Sequence, residues 1–454
     1  MKILLINPPI YDFTAFDLWS KPLGLLYLSS ILKKQNIDVN LLDYMDRHFA
    51  EADSAAESVS DEYGCGHYLK THVPKPAALK NIPRYYSRYG ISKEDAESRL
   101  PLLKQPDLII VTSIMTYWYP GVIEAIESVG NVFPNIPVAL GGVYATLCPE
   151  HAARIKPDFL VQGGLASLNK VFEKFSISAK ASKIPRVPES FADFPAPDYT
   201  YYNRCGYAAL RMSMGCPFKC SYCAQHTLCG DEFTAKSPER VFKEIQGFAA
   251  KGIKNITFYD DALLYKADEG IKPLLKKIVK SGIKINIHTP NGLHLRYLDP
   301  ELAKLMKAAG FVFPRFSLES ADARIQKETG AKITNKGFEK AAAMLKEAGF
   351  KNGEFLIYLL MGMPGQSLQD VEASVRYVHS HGGKVSLSEY SIIPGTKDFE
   401  RRFTNNNLQF TINGKDFKNE PLLHNKSVFP LFETKDWKEI MRIKNLATRL
   451  NSLL

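Results

Sequence analysis

The sequence predicts an α/β protein: an N-terminal doubly wound, Rossmann-like parallel sheet of about five strands, followed by a partial, TIM-like (β/α)6 barrel. Three observations predict it. Short apolar runs alternate with amphipathic helical patterns through both halves, a proline-rich bridge separates two such series, and 454 residues exceed what one ordinary core holds. The expected divisions are 1–182 for the sheet domain, 183–204 for the linker, 205–400 for the barrel and 401–454 for a helical extension.

In the first series KILLIN (2–7) reads as a buried strand, PLGLLYLSSILKKQ (22–35) as an amphipathic helix and DVNLLD (38–43) as a second strand. PDLIIVTS (106–113), a helix near 120–132, IPVALGG (136–142) and PDFLVQGG (157–164) continue the alternation. Helices of this length suit right-handed crossovers, so the strands are expected to be parallel, with ligands at their carboxyl ends. Residues 45–105 break the rhythm: they carry no long apolar repeat, yet include Tyr63, Tyr68, Tyr85, Tyr86 and Tyr89. A loop of that size is a lid, an inserted subdomain or disorder, and its aromatic content argues against disorder.

After the bridge KIPRVPESFADFPAPDY (183–199), the expected strands are 207–215, 255–261, 284–290, 312–320, 354–362 and 384–393. Helical patterns separate them; in SPERVFKEIQGFAAKG (237–252) Ser237 can cap and Pro238 takes the first helical position. Six βα units make an incomplete barrel with its active site at the strand C-termini. KDWKEIMRIKNLATRLNSLL reads as an amphipathic helix closing one side.

Composition, 45% hydrophobic and 23% charged, is that of a globular protein. No apolar run approaches the roughly 20 residues that cross a bilayer, and MKILLINPPI has the form of a strand rather than a signal peptide, so no membrane span and a cytoplasmic location are expected. The net charge of +10 falls in the second half, since residues 1–200 hold about 20 Lys and Arg against 22 Asp and Glu. Those lysines are spread through helical segments, which reads as solvated helix faces and not as a nucleic-acid surface.

Seven cysteines are too few and too odd in number for a secreted disulfide framework, yet three of them, Cys216, Cys220 and Cys223, fall within eight positions of RMSMGCPFKCSYCAQH. The trio follows the first barrel strand, on a loop at the catalytic rim. Three thiolates on one loop can hold three corners of a 4Fe-4S cubane and leave the fourth iron open to a small molecule. Structural zinc wants four ligands in two separated pairs, and Cys205, His226 and Cys229 make no second pair. Three inert core cysteines would not keep Lys219, Ser221 and Gln225 as neighbours. The non-enzymatic alternative is a binding protein in which the trio holds zinc or an electron-transfer cluster.

GCPFKCSYC resembles the signature of the radical S-adenosylmethionine (radical SAM) enzymes, including the aromatic Tyr222 before the third cysteine. The resemblance implies that Cys216, Cys220 and Cys223 bind a 4Fe-4S cluster whose open iron chelates SAM, and that one electron cleaves SAM to methionine and a 5'-deoxyadenosyl radical. It also implies a reductant such as flavodoxin or ferredoxin. Residue by residue, Tyr222 would present backbone to the adenine, and Asp260 or Asp261, in FYDD (258–261), would meet the SAM amino group, with a helix cap as the plain alternative. Ser317 and Glu319, in RFSLES (315–320), would meet the ribose and carboxylate. Gly362 and Gly365, in MGMPGQS (361–367), would let backbone approach the adenine.

The order of domains, with LLINPP, KPLGLLYLSSIL, ALGGVYATLCPEH (139–151) and PDFLVQGG, is similar to the cobalamin (B12)-binding-domain branch of that family. The branch implies a cobalamin on the strand C-termini of a cobalamin-binding type of sheet, with Gly141 and Gly142 admitting its nucleotide tail. This chain departs from the branch in having no D-x-H-x-x-G motif and in reading GGLA at 163–166 where relatives carry two carboxylates. The tRNA methylthiotransferases need three further N-terminal cysteines, whereas Cys65 and Cys148 stand there alone. A radical SAM enzyme acting at an unactivated carbon of a small molecule or peptide is therefore expected, by cobalamin-dependent methyl transfer or by radical rearrangement or cyclisation. The alternative is a cobalamin-independent enzyme whose first domain binds substrate.

Overall fold

The computed structural model describes residues 1–49, 60–178, 184–403, 411–412, 415–428 and 436–454. Residues 50–59 of the expected insertion, 179–182 of the expected sheet domain, Lys183 of the expected linker, and 404–410, 413–414 and 429–435 of the expected C-terminal extension lie outside the described residues. Contacts divide the chain into two compact units, Met1–Gly206 with Thr227–Cys229 and Asn407–His424, and Tyr207–His226 with Gly230–Asn406 and Asn425–Leu454.

The first unit is built on five strands, β1 (Lys2–Asn7), β2 (Asp38–Asp43), β3 (Leu108–Val111), β4 (Val138–Leu140) and β5 (Phe159–Leu160). They pair in parallel in the order β5-β4-β3-β1-β2. Both faces of such a sheet are covered, which is why the strands are continuous apolar runs: Ile3, Leu4, Leu5 and Ile6 are each at most 1% exposed. The chain leaves β1 to one side and returns to the other, so the switch point lies between β1 and β3. Helices α1 (Leu23–Lys33) and α2 (Tyr119–Val132) supply crossovers.

The expected insertion folds as a small subdomain. Ile10–Asp12 pairs antiparallel with Ser87–Tyr89, which pairs antiparallel with Lys70–His72, and Ile10, Met45, Tyr68 and Tyr89 form a buried cluster beneath. Tyr68, Tyr86 and Tyr89 are buried, whereas Tyr63 is partly buried and Tyr85 is 81% exposed. The proline-rich stretch also packs within this unit: Asp198 accepts from Ser29 Oγ at 2.8 Å, Tyr202 donates to Asp43 at 2.7 Å, and Tyr27 meets Phe191 and Phe194 edge-on.

The second unit contains six parallel strands, β6 (Tyr207–Leu210), β7 (Asn255–Phe258), β8 (Asn286–His288), β9 (Arg315–Glu319), β10 (Leu356–Met361) and β11 (Lys384–Glu389). They form two three-stranded sheets, β6-β7-β8 and β9-β10-β11. Isolated parallel bridges, Ile287 to Phe311 and Leu293 to Phe316, join β8 to β9. Pro290 and Pro314 flank this join, and a residue without an N–H cannot extend a ladder. Ser237 caps α3 (Pro238–Ala250) as the sequence expects, and Asp299, not singled out from sequence, caps α5 (Pro300–Ala309) in the same way, each with proline in the first turn. Between them lies α4 (Ile271–Ser281). Beyond β9 come α6 (Ala323–Glu328), α7 (Asn335–Glu347) and α8 (Leu368–Ser380), the last held by a Ser367–Asp370 capping box.

The barrel's last strand is covered by α9 (Trp437–Asn451). Asn451 donates to Val385 O and accepts from Val385 N–H, both at 2.8 Å, which satisfies backbone groups that an edge strand would leave open. No helix among the described residues is long and apolar enough to cross a membrane.

Candidate active site

The loop after β6 is held from beneath by two carboxylates at the end of β7. Asp260 is 4% exposed and accepts from the Met212 and Ser213 amides and from Ser213 Oγ, the last at 2.7 Å. Asp261 takes Arg211 and the Gly215 amide, each at 3.1 Å. Gly215 has φ +95°, and a Cβ there would lie 2.2 Å from Glu232 O, so the turn into the cysteine stretch needs glycine. A short antiparallel pair, Ser213–Met214 with Thr234–Ala235, closes the loop's base.

On this loop Cys216 is half-buried, Cys220 buried and Cys223 exposed, and none is in a disulfide. Phe218 packs edge-on to His294 with ring centroids 4.7 Å apart. Burial pushes the Cys216 thiol up to about 11 and raises Cys220, and the surrounding protein raises Cys223 as well although its surface is open to solvent, while the Lys332 ammonium pulls all three back. Thiols held this way ionise on metal binding, releasing protons. The donor set fits an iron-sulfur cubane, with three thiols on one loop. Among the described residues no three His, Cys, Asp or Glu side chains close around a point where one metal ion would sit.

The segment after α6 wraps the same loop. Ser221 N–H donates to Thr329 O at 3.4 Å, and Gly330, at φ +119°, brings its Cα so near that an added Cβ would lie 3.2 Å from Cys220 Cα. Gly330→Ala combines a strained backbone with that close approach. It is expected to cost about 1–3 kcal/mol and to lower the iron retained after reconstitution, read by thermal unfolding of the apo chain and by iron analysis.

Beside the loop opens a cavity of about 320 Å³, within the range of small-molecule sites, lined by Tyr222, Ser317, Glu319, Tyr358, Leu360 and residues 388–391. Glu319 stands at a break in register between β9 and β10 with φ +67°, a conformation a non-glycine residue holds only when its surroundings impose it. Its Oε1 accepts from Tyr222 Oη at 3.0 Å and from Lys332 Nζ at 3.3 Å. On the facing wall Glu389 pairs with Lys444 of α9.

Of the residues singled out from sequence, the structure brings Tyr222, Ser317 and Glu319 together at the cavity. Asp260 and Asp261 are engaged by backbone of the cysteine loop and do not line it. Gly362 and Gly365 also stand outside the wall, although Leu360 of the same strand is in it. The Gly362 amide donates to Gln366 Oε1 at 2.9 Å, and Gly365 O accepts from Arg324 at 2.8 Å. Sequence reading missed Lys332, Tyr358 and Ser388. Tyr358 and Ser388 follow from strand alternation, being on one face with Ser317; nothing in the local pattern AKITNKG marks Lys332.

In the first unit, Gly141 and Gly142 end β4. Gly142, at φ +92°, sits so close to β3 that a Cβ would lie 2.4 Å from Ser113 O, while no atom lies within 4 Å of a Cβ added at Gly164. Just past β3, at the switch point, Ile114 and Met115 are 37% and 39% exposed. An apolar pair left open at the end of a doubly wound sheet fits the face of a large ring cofactor.

Residues 210–378 match the family described as the Radical SAM superfamily, from the end of β6 into α8. Over 450 residues the chain is 24% identical to "Uncharacterized methyltransferase PH0819" of Pyrococcus horikoshii, spanning 92% of this chain and 86% of that one. It is 23% identical over 447 residues to cytidylyl-2-hydroxyethylphosphonate methyltransferase of Streptomyces wedmorensis, spanning 84% and 77%. Its fold is similar to the radical S-adenosylmethionine methyltransferase TsrM from Kitasatospora setae, solved with tryptophan substrate and a SAM analogue, with a TM-score of 0.66 at 16% identity over 94% of this chain and 82% of that one. A second TsrM structure, with cobalamin and a 4Fe-4S cluster bound, gives a TM-score of 0.64 over 87% and 73%.

Proposed function

We propose, for a chain that belongs to the radical SAM superfamily through residues 210–378, a cobalamin-dependent methyl transfer to an unactivated carbon, begun by reductive cleavage of S-adenosylmethionine. When bound, a three-thiolate cluster supplies an open iron for the amino acid end of SAM and the electron that splits its sulfonium. In this reading Cys216, Cys220 and Cys223 are the ligands, and Asp260 and Asp261 hold their loop in shape. Ser317, Glu319 and Tyr222 orient SAM from one wall of the cavity, whereas Gly362 and Gly365, outside that wall, serve the turn after β10. The Phe218 and His294 rings keep water from one side of the loop. Flavodoxin or ferredoxin is the class of electron donor such a site takes.

Cobalamin would lie on the first unit's sheet against Ile114 and Met115, with Gly141 and Gly164 admitting its polar tail, while Gly142 is taken up by its close approach to Ser113. What it would supply there is a methyl carrier. Two things support this part: the apolar pair at the switch point, and the methyltransferase names of the two curated relatives and of TsrM.

The observation that carries the reading is three cysteines on one rim loop beside a cavity whose wall includes the residue between two of them, Tyr222. Anaerobic reconstitution in the presence of hydroxocobalamin, followed by desalting, tests it. Expected are a brown protein with about four irons per chain, a corrin spectrum in stoichiometric amount, and release of 5'-deoxyadenosine from SAM. Iron and SAM cleavage without retained corrin would leave a cobalamin-independent radical enzyme, and a colourless zinc protein would end the radical reading altogether.

A further inference from the structure

A lysine with no motif around it is built into the cysteine loop. Three contacts fix the segment that carries it: Ser221 N–H on Thr329 O, Gly330 against Cys220, and the Arg296 guanidinium on Ala331 O. Lys332 follows directly. Its side chain is 18% exposed, with Nζ 3.3 Å from Glu319 Oε1 and 5.7 Å from the Tyr222 ring centroid. Its charge acts on Cys216, Cys220 and Cys223 alike, and on His294 beyond Phe218. Burial works against an ammonium here, while the Glu319 carboxylate 3.3 Å away favours it. A charge so far out of water is weakly screened, so it acts at a lower effective dielectric than a surface lysine.

We propose that the Lys332–Glu319 pair sets the electron affinity of the cluster held by the trio, which rests on the cluster reading above. An added electron makes three thiolates and their irons more negative. Lys332 favours that state and Glu319 opposes it, so the two residues shift the same equilibrium in opposite directions. The pair also joins the cysteine loop to the cavity, because Glu319 lines the cavity and Lys332 follows the segment that packs Gly330 against Cys220. A group that merely held SAM would leave the potential of the SAM-free cluster unmoved.

The test uses the full-length chain reconstituted anaerobically, as wild type and as Lys332→Met, Lys332→Arg and Glu319→Gln. Iron content is measured first. Dithionite titration without SAM, followed by the electron paramagnetic resonance of the reduced cluster, then gives each midpoint. Lys332→Met is expected to disfavour reduction at least tenfold, about 59 mV for one electron, with Lys332→Arg near wild type and Glu319→Gln shifted the other way. Equal midpoints at equal iron overturn the inference and leave the cluster reading standing. A wild type that takes up no iron overturns both. If Lys332→Met fails to hold iron, Glu319→Gln decides: a more positive midpoint supports the inference, and an unmoved one ends it.

Discussion

Replacing any one of Cys216, Cys220 and Cys223 by alanine is expected to cut the iron retained after reconstitution from about four per chain to a small fraction and to abolish release of 5'-deoxyadenosine. The expectation is steeper than for a cluster with four protein ligands. With three, the loss of one leaves two thiolates to hold four irons, and no other cysteine is built into the loop. Cys205 and Cys229 flank the stretch in sequence, but each lies outside the eight positions from Cys216 to Cys223. The apo fold should survive, since the loop is braced by Asp260, Asp261 and the Ser213–Met214 pair rather than by the thiols. Far-ultraviolet circular dichroism of each variant should therefore overlay the wild type, while the visible absorbance is lost. Retention of wild-type iron by all three variants would remove the assignment.

The strands were legible because a parallel sheet covered on both faces writes itself as uninterrupted apolar runs, such as KILLIN and PDLIIVTS. The cap at Ser237 was legible because it stands directly before a proline. The cysteine trio was legible from spacing alone. What sequence could not give were relations between distant segments. Asp260 and Asp261 are a pair of carboxylates at a strand end, and whether they face a cofactor or the neighbouring strand's loop depends on where Met212 and Gly215 run. The structure puts those amides on them. Lys332 was invisible for the same reason: its partner, Glu319, is near in sequence, but the cysteines it borders are more than a hundred positions away. The insertion's tyrosines signalled order, yet the pairing of Ser87–Tyr89 with Ile10–Asp12, a strand that directly follows β1, has no local signature.

Asp260→Ala is the substitution with the largest expected cost to stability. It removes a buried acceptor and leaves the Met212 and Ser213 amides and the Ser213 hydroxyl facing a void. Unsatisfied buried donors cost about 1–3 kcal/mol each, so a loss of about 3–5 kcal/mol is expected after the hydroxyl rotates to another partner. The loop that carries the cysteines starts at these amides, so iron retention should fall with stability, whereas Asp261→Ala, at a less buried site, should cost less. Acidity adds a signature. Burial lifts the Asp260 carboxyl to about 6, against the hydrogen bonds from Ser213 and Met212 that pull it down. The folded chain then binds this proton more tightly than the unfolded chain does. Its contribution to stability is fully present below about pH 4 and is lost as pH rises through about 6. The gap in unfolding free energy between wild type and Asp260→Ala should thus be wider at about pH 5 than at about pH 7.5, by urea unfolding of the apo proteins. A gap that widens with rising pH would mean that the hydrogen bonds to the ionised carboxylate outweigh its burial.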